Sequence, residues 1–212
     1  MSKIIIIGAG AMGSAFSVPC IENKNDVTLV GTHLENELIN KIKLDNNFHP
    51  ILNVCLPKSL KIEKFEKLDS IIENGVDVIV AGISSVGIEW FVEQIAKKYK
   101  ENTPIILLTK GLAIFDNELT TLSEKIKRLL EKKGHNQVNI SAIKGPCLAA
   151  GLANKMRTGT VIANQDVKVC QSLKNIISTN YYSTEISEDI SGVEISGAIK
   201  NIYSMLIGAS EG

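Results

Sequence analysis

An α/β protein built on a doubly wound, mostly parallel sheet is what this sequence predicts, and three observations carry the prediction. Short β-branched runs alternate with amphipathic stretches along most of the 212 residues. The runs are apolar throughout instead of alternating, as strands covered on both faces are. Finally, Gly8, Gly10 and Gly13 sit where the first run, IIII, gives way to a helix-like segment.

The runs that read as strands are residues 3–7, 27–30, 77–81, 105–108, 138–142, 160–163 and 181–184. Between them, ELINKIKL from Glu37, GIEWFVEQIAKKY from Gly87 and NELTTLSEKIKRLLEKK from Asn117 carry apolar residues three and four apart. In the last of these, Leu119, Leu122, Ile126, Leu129 and Leu130 share a helix face. Strands and helices taking turns place helices on both sides of a parallel sheet. The alternation stops near residues 183–192, and one long helix is expected from Asp189. Residues 1–186 then form the sheet-containing domain, and residues 187–212 the first helix of a second, all-helical domain that the chain holds in truncated form.

Composition narrows the function. Lys and Arg total 23 and Asp and Glu total 23, so no net field draws nucleic acid or an anionic membrane. Small-molecule chemistry is the better fit. Cys20, Cys55, Cys147 and Cys170 are far apart, with no C-x-x-C and no histidine cluster, so neither a disulfide framework nor a metal site is expected. The apolar runs are much shorter than the roughly 20 residues of a membrane span, and no signal-peptide pattern opens the chain. A cytoplasmic protein without a membrane span is the expectation.

A Gly-x-Gly-x-x-Gly that leaves a buried strand and enters a helix is the dinucleotide fingerprint of a Rossmann-type sheet. Gly8 permits the turn, Gly10 leaves room for a pyrophosphate, and Gly13 lets the helix pack close. The N–H groups that open the helix, at Ala11 and Met12, favour the anion. An acid is expected at the end of the second strand to take the ribose hydroxyl, but Gly31, Thr32 and His33 stand there. Glu35 is the nearest acid and is read as opening the next helix. Thr32 and His33 are therefore the candidates for the adenosine side, and the choice between NAD and NADP stays open.

Ligands in such sheets lie beyond the carboxyl ends of the strands. That rule points to Ser84 and Ser85 in AGISSVG, to Thr109 and Lys110 in LLTKGL, and to Gly145, Cys147 and Ala149 in AIKGPCLAAGLA. Lys110 is a natural donor to a phosphate or carbonyl oxygen. On the last helix, Glu194, Gly197, Asn201 and Ser204 fall on one stripe with Lys200 at its edge, either a solvated face or the wall of a site.

The glycine fingerprint, TKG, GP with a small residue, and VEISGAIKN, in that order, resemble the NAD(P)-dependent glycerol-3-phosphate dehydrogenases over essentially the whole chain. The resemblance implies reversible NAD(P)H-dependent reduction of dihydroxyacetone phosphate to sn-glycerol 3-phosphate, feeding phospholipid synthesis. It gives Lys110 contacts to substrate and cofactor, Lys200 the acid/base role, and Asn201, Gly145 and Cys147 substrate contacts. It gives Ala149 a cofactor contact, while Ser84 is a cofactor candidate by its place beyond the strand end. Two departures stand out. Cys147 replaces a family serine, a weaker donor in place of a hydroxyl, and the family continues past Gly212 into a helical domain that supplies further substrate contacts. A homo-oligomer, or cover from that helical domain, is expected for the apolar last helix. A ketopantoate-reductase-like enzyme and a non-catalytic dinucleotide-binding remnant are the alternatives.

Overall fold

Four consecutive isoleucines, Ile4, Ile5, Ile6 and Ile7, have no polar side, so the strand they form must be covered on both faces. In the computed structural model all four are at most 2 % exposed. Each contributes roughly 1.5–3 kcal/mol relative to an exposed side chain. The structure describes residues 1–211.

In chain order the first elements are β1 (Lys3–Ile7), α1 (Ala11–Glu22), β2 (Asp26–Val30), α2 (Asn36–Leu44), β3 (Phe48–His49), β4 (Val54–Cys55) and β5 (Lys61–Glu63). Next come α3 (Leu68–Glu73), β6 (Val78–Ala81), α4 (Ile88–Ala96), β7 (Ile105–Leu107), β8 (Leu112–Phe115), β9 (Glu118–Thr121) and α5 (Leu122–Lys132). The last are β10 (Ile140–Lys144), α6 (Ala149–Ala153), β11 (Thr158–Ala163), α7 (Val167–Ile177), β12 (Tyr182–Ser187) and α8 (Ile190–Glu211). The main sheet has the order β12-β11-β10-β7-β6-β1-β2-β5. β10 and β11 pair antiparallel, while β1 pairs in parallel with both β2 and β6. Strand order reverses at β1, which opens a crevice between the carboxyl ends of β1 and β6.

The sheet separates two cores. Ile4 and Ile6 pack with Phe16 and Cys20 of α1 and with Leu173 and Ile177 of α7. Ile5 and Ile7 pack with Phe91 and Ile95 of α4 and with Ile126 and Leu130 of α5. This is the doubly wound arrangement expected from the alternation.

One expected helix begins late. Residues 112–121 form the hairpin of β8 and β9, turned by Asp116 and Asn117 at φ of +50° and +63°. Such a left-handed pair matches the twist of a two-residue hairpin turn. Thr121 then caps α5, its Oγ1 accepting from the Glu124 N–H at 3.3 Å. Leu119, placed on the helix by spacing alone, lies on β9 and is 73 % exposed. The small hairpin of β3 and β4 and the edge strand β5 are elements the periodicity does not show.

The first half of α8 lies over β10 and β11, with Glu194 fully buried. From Asn201 to Glu211 every residue is exposed. The anticipated uncovered apolar face is there: Ile202, Tyr203, Met205, Leu206 and Ile207 are 57–74 % exposed. The expected stripe through Glu194, Gly197, Asn201 and Ser204 is thus split, its first half packed inward and its second half solvated. Gly212, the final residue of the expected second part, lies outside the described residues.

Candidate active site at the carboxyl ends of the strands

The glycines differ in what the fold demands of them. Gly8 has φ +109°, and a Cβ there would lie 2.6 Å from the Gly82 carbonyl oxygen. A Cβ on Gly13 would lie 2.2 Å from the Gly8 oxygen. Both close approaches sit at the switch point, where the exit of β6 at Gly82 presses on the fingerprint. Gly10 is different: the nearest atom to its added Cβ is Glu35 Oε1, at 3.8 Å. The protein's own packing leaves that space free. Gly10 also caps α1, so the N–H groups of Ala11 and Met12 open the helix facing the crevice.

Three side chains hold this loop in shape. Glu35 Oε2 accepts from Ala9 N–H at 3.0 Å and from Thr32 N–H at 2.7 Å. Ser14 Oγ and His49 Nε2 each bond the Ala9 carbonyl at 3.0 Å. His49 is fully buried, and its Nδ1 accepts from Leu52 N–H at 3.2 Å, a pattern that puts the ring proton on Nε2. Glu35 does open α2, as its position suggested, but its carboxylate folds back onto the glycine loop. Beside it, His33 lies 5.0 Å from Trp90 between ring centroids, and Trp90 lies 5.4 Å from Phe65. This aromatic group flanks the end of β2.

On the other side of the crevice the exits of β6 and β7 are joined: Thr109 Oγ1 donates to the Ile83 carbonyl at 2.6 Å. Ser84 and Lys110, next to those two residues, are exposed. Burial and the nearby Lys200 charge push the Lys110 ammonium below its ordinary range, with Cys147 opposing. Lys200 is exposed on α8 and lines a cleft of about 530 Å³ with Lys144, Gly145, Pro146, Asp189 and Gly197. Asn201 follows it, exposed. Gly145 is forced by close approach, since a Cβ would lie 2.6 Å from the Gly159 carbonyl oxygen. Cys147 is 8 % exposed, and burial pushes its thiol up against the lowering influence of Thr158 and Lys110. Ala149 starts α6.

Gly145 and Lys200 line one cleft, while Lys110, outside that lining, is near enough to Lys200 and Cys147 to feel their charges. Sequence reading missed two charged residues. Lys144, 3 % exposed, sits two residues beyond where β10 was expected to end. Glu194, weighed only as part of a stripe, accepts from the N–H and the hydroxyl of Ser123 at the start of α5. No cluster of metal-binding side chains occurs among the described residues. Nor is any described helix long and apolar enough to cross a membrane.

A sequence profile described as NAD-dependent glycerol-3-phosphate dehydrogenase N-terminus matches residues 3–170. NADP(+)-dependent glycerol-3-phosphate dehydrogenase of Archaeoglobus fulgidus is 36 % identical over 204 residues, which cover 96 % of this chain and 59 % of that protein. Glycerol-3-phosphate dehydrogenase [NAD(P)+] of Mesoplasma florum is 32 % identical over 212 residues, covering 97 % and 60 %. The crystal structure of glycerol-3-phosphate dehydrogenase from Coxiella burnetii superposes with a TM-score of 0.82 at 23 % identity, covering 99 % of this chain and 61 % of that one. That likeness shows the fold. The chain spans about three-fifths of the length of these relatives. A profile match over most of the chain, on a doubly wound sheet that carries the glycine fingerprint at its switch point, places this protein in the NAD-dependent glycerol-3-phosphate dehydrogenase family, with the match falling in that family's N-terminal region.

Proposed function

We propose that the chain binds NAD or NADP on the loop from Gly8 to Gly13 and supplies the lysines for reversible reduction of dihydroxyacetone phosphate to sn-glycerol 3-phosphate. The observation that carries the reading is the space beside Gly10, which the protein's own packing leaves free at the opening of α1. The residues fit a dinucleotide: a close-approach glycine, the opening N–H groups of α1, and aromatic rings flanking the end of β2. In this reading Ala11 and Met12 hold the pyrophosphate, Thr32 and His33 border the adenosine, and Ser84 and Ala149 border the remainder.

A reduced nicotinamide held on that loop would supply the hydride for the substrate's carbonyl carbon. Negative charge then develops on the carbonyl oxygen, and Lys200 gives it a proton while Lys110 orients and polarises the same oxygen. The Lys200 charge helps hold Lys110 below its ordinary range. In the alcohol-oxidising direction the same step runs in reverse, with Lys200 taking the hydroxyl proton. Gly145, Cys147 and Asn201 border the substrate, with the Cys147 thiol a weak donor. Residues 1–186 serve as the cofactor-binding unit, and α8 opens the substrate-binding part. The exposed apolar half of α8 calls for a cover, in keeping with a homo-oligomer or with further helices.

The experiment is oxidation of NADH and NADPH by the purified chain with dihydroxyacetone phosphate, run beside ketopantoate, with cofactor binding measured by calorimetry. The structure of a putative 2-dehydropantoate 2-reductase from Enterococcus faecalis shares this fold at a TM-score of 0.61 and 20 % identity, so ketopantoate is the informative control. Turnover of ketopantoate alone would refute the reading. Absence of dinucleotide binding would refute it at its root.

A further inference from the structure

A lysine ammonium buried inside a sheet needs a reason. Lys144 ends β10 with its side chain on the α5 side of the sheet, where it crosses to β7, and Nζ donates to the Leu107 carbonyl at 3.1 Å. Leu107 is the last residue of β7, three before Lys110. The stem of Lys144 carries α8: a Cβ on Gly197 would lie 3.1–3.2 Å from Lys144 Cβ, Cγ and Cδ. Gly197 stands three residues before Lys200, one helical turn away. An apolar side chain of the same length would seat α8 equally well and would bury no charge. What the lysine adds is the bond to Leu107 and a positive charge beside Lys110.

We propose that Lys144 is a positioning residue: its ammonium ties down the β7 exit that carries Lys110, and its stem seats the turn of α8 that carries Lys200. The proposal rests on the reading of Lys110 and Lys200 given above. The charged groups around Lys144 are Glu194 from α8, itself held by Ser123 at the start of α5, Lys110 from the β7 exit, and Asp189 and Lys200, which line the same cleft. Burial pushes the Lys144 ammonium down to about 8, with Glu194 opposing and Lys110 adding to the fall. Lys144 is thereby coupled to a lysine of the cleft through charge as well as through the backbone.

The test uses the whole chain with lysine labelled at the ε-carbon, its resonances followed by NMR against pH. The expected result is one lysine titrating near 8 that is missing from Lys144→Met. Its midpoint should move up in Lys110→Met and down in Glu194→Gln. In Lys144→Met the Lys110 and Lys200 resonances should shift, NADH affinity should stay within about twofold, and kcat with dihydroxyacetone phosphate should fall roughly tenfold or more. Should Lys144→Met fold poorly, Lys144→Met/Glu194→Gln removes both buried charges together and carries the same expectations for Lys110 and Lys200. A Lys144 midpoint indifferent to Lys110 and Glu194, or unmoved Lys110 and Lys200 resonances in Lys144→Met, would overturn the proposal. If those responses appear while the wild-type chain ignores dihydroxyacetone phosphate, the proposed reaction fails and the positioning geometry stands.

Discussion

Substituting the three fingerprint glycines one at a time separates the demands of the fold from the demands of a ligand. Gly10 has φ −65° and ψ 176°, which any residue adopts, and its added Cβ meets nothing closer than 3.8 Å. Alanine there loses a little as a helix cap and gains a little by stiffening the unfolded chain, for a net change within about 1 kcal/mol. For a chain of this size that is at most about 4 °C in Tm. Gly13→Ala places a Cβ 2.2 Å from the Gly8 oxygen, about 1 Å inside contact, so α1 must move. Overpacking of this kind costs about 1–3 kcal/mol or more. Gly8→Ala adds backbone strain of about 1–3 kcal/mol at φ +109° to its own overlap with Gly82. Thermal unfolding should therefore rank Gly10→Ala near wild type and the other two well below. Calorimetry should show the opposite for the cofactor: Gly10→Val, still folded, loses NADH and NADPH affinity by roughly tenfold or more, because its side chain fills the pyrophosphate's space. A folded Gly10→Val with unchanged affinity for both cofactors would refute the reasoning.

Glu35→Gln should raise the NADPH-to-NADH affinity ratio, since it removes a negative charge bonded to Ala9 and Thr32 N–H beside the expected position of a 2′-phosphate; fluorescence of Trp90 reports both titrations, and an unchanged ratio argues against that placement. Lys200→Met and Lys110→Met should each lower turnover at least about a hundredfold, with cofactor binding intact at Lys200→Met. Near-normal single-turnover rates in Lys200→Met would assign the proton to another group.

Much of this was legible because it depends on local pattern. Four isoleucines in a row demand two covered faces, and the fingerprint follows from what backbone must do near an anion. Lys110 was singled out by its place after a strand, whereas Lys200 stood only at the edge of a helical stripe and took its role from the family resemblance. What stayed hidden depends on distant parts of the chain. Lys144 drew no notice because β10 was expected to end at Ala142, and only the fold shows it buried and reaching to Leu107. Glu35 was correctly placed at the start of α2, yet nothing local tells that its carboxylate folds back to Ala9. Gly82 drew no notice in AGISSVG, although Gly8 and Gly13 both press against it. The hairpin at Asp116 and Asn117 was masked by apolar residues that happened to continue the helical spacing of α5.

Lys144 also leaves a signature in stability against pH. In the fold its ammonium is held down to about 8, while an unfolded chain keeps the ordinary 10.5. Between those values the unfolded chain binds more protons, so stability rises with pH. From pH 7 to 8.5 this one group contributes a gain on the order of 1 kcal/mol, and the lowered Lys110 acts in the same direction. The thiols of Cys20, Cys147 and Cys170 act oppositely. Burial raises each above the ordinary 9.0, so the unfolded chain gives up those protons first and stability falls as pH climbs through 9. Above pH 8 the two trends oppose each other. Lys144→Met removes most of the rising limb and leaves the falling one. Urea unfolding of both proteins from pH 7 to 9.5 at fixed ionic strength should show wild type gaining on the order of 1 kcal/mol over the variant up to pH 8.5. A difference that stays flat across that range would mean that Lys144 keeps an ordinary ammonium in the fold, and that burial beneath α8 does not perturb it.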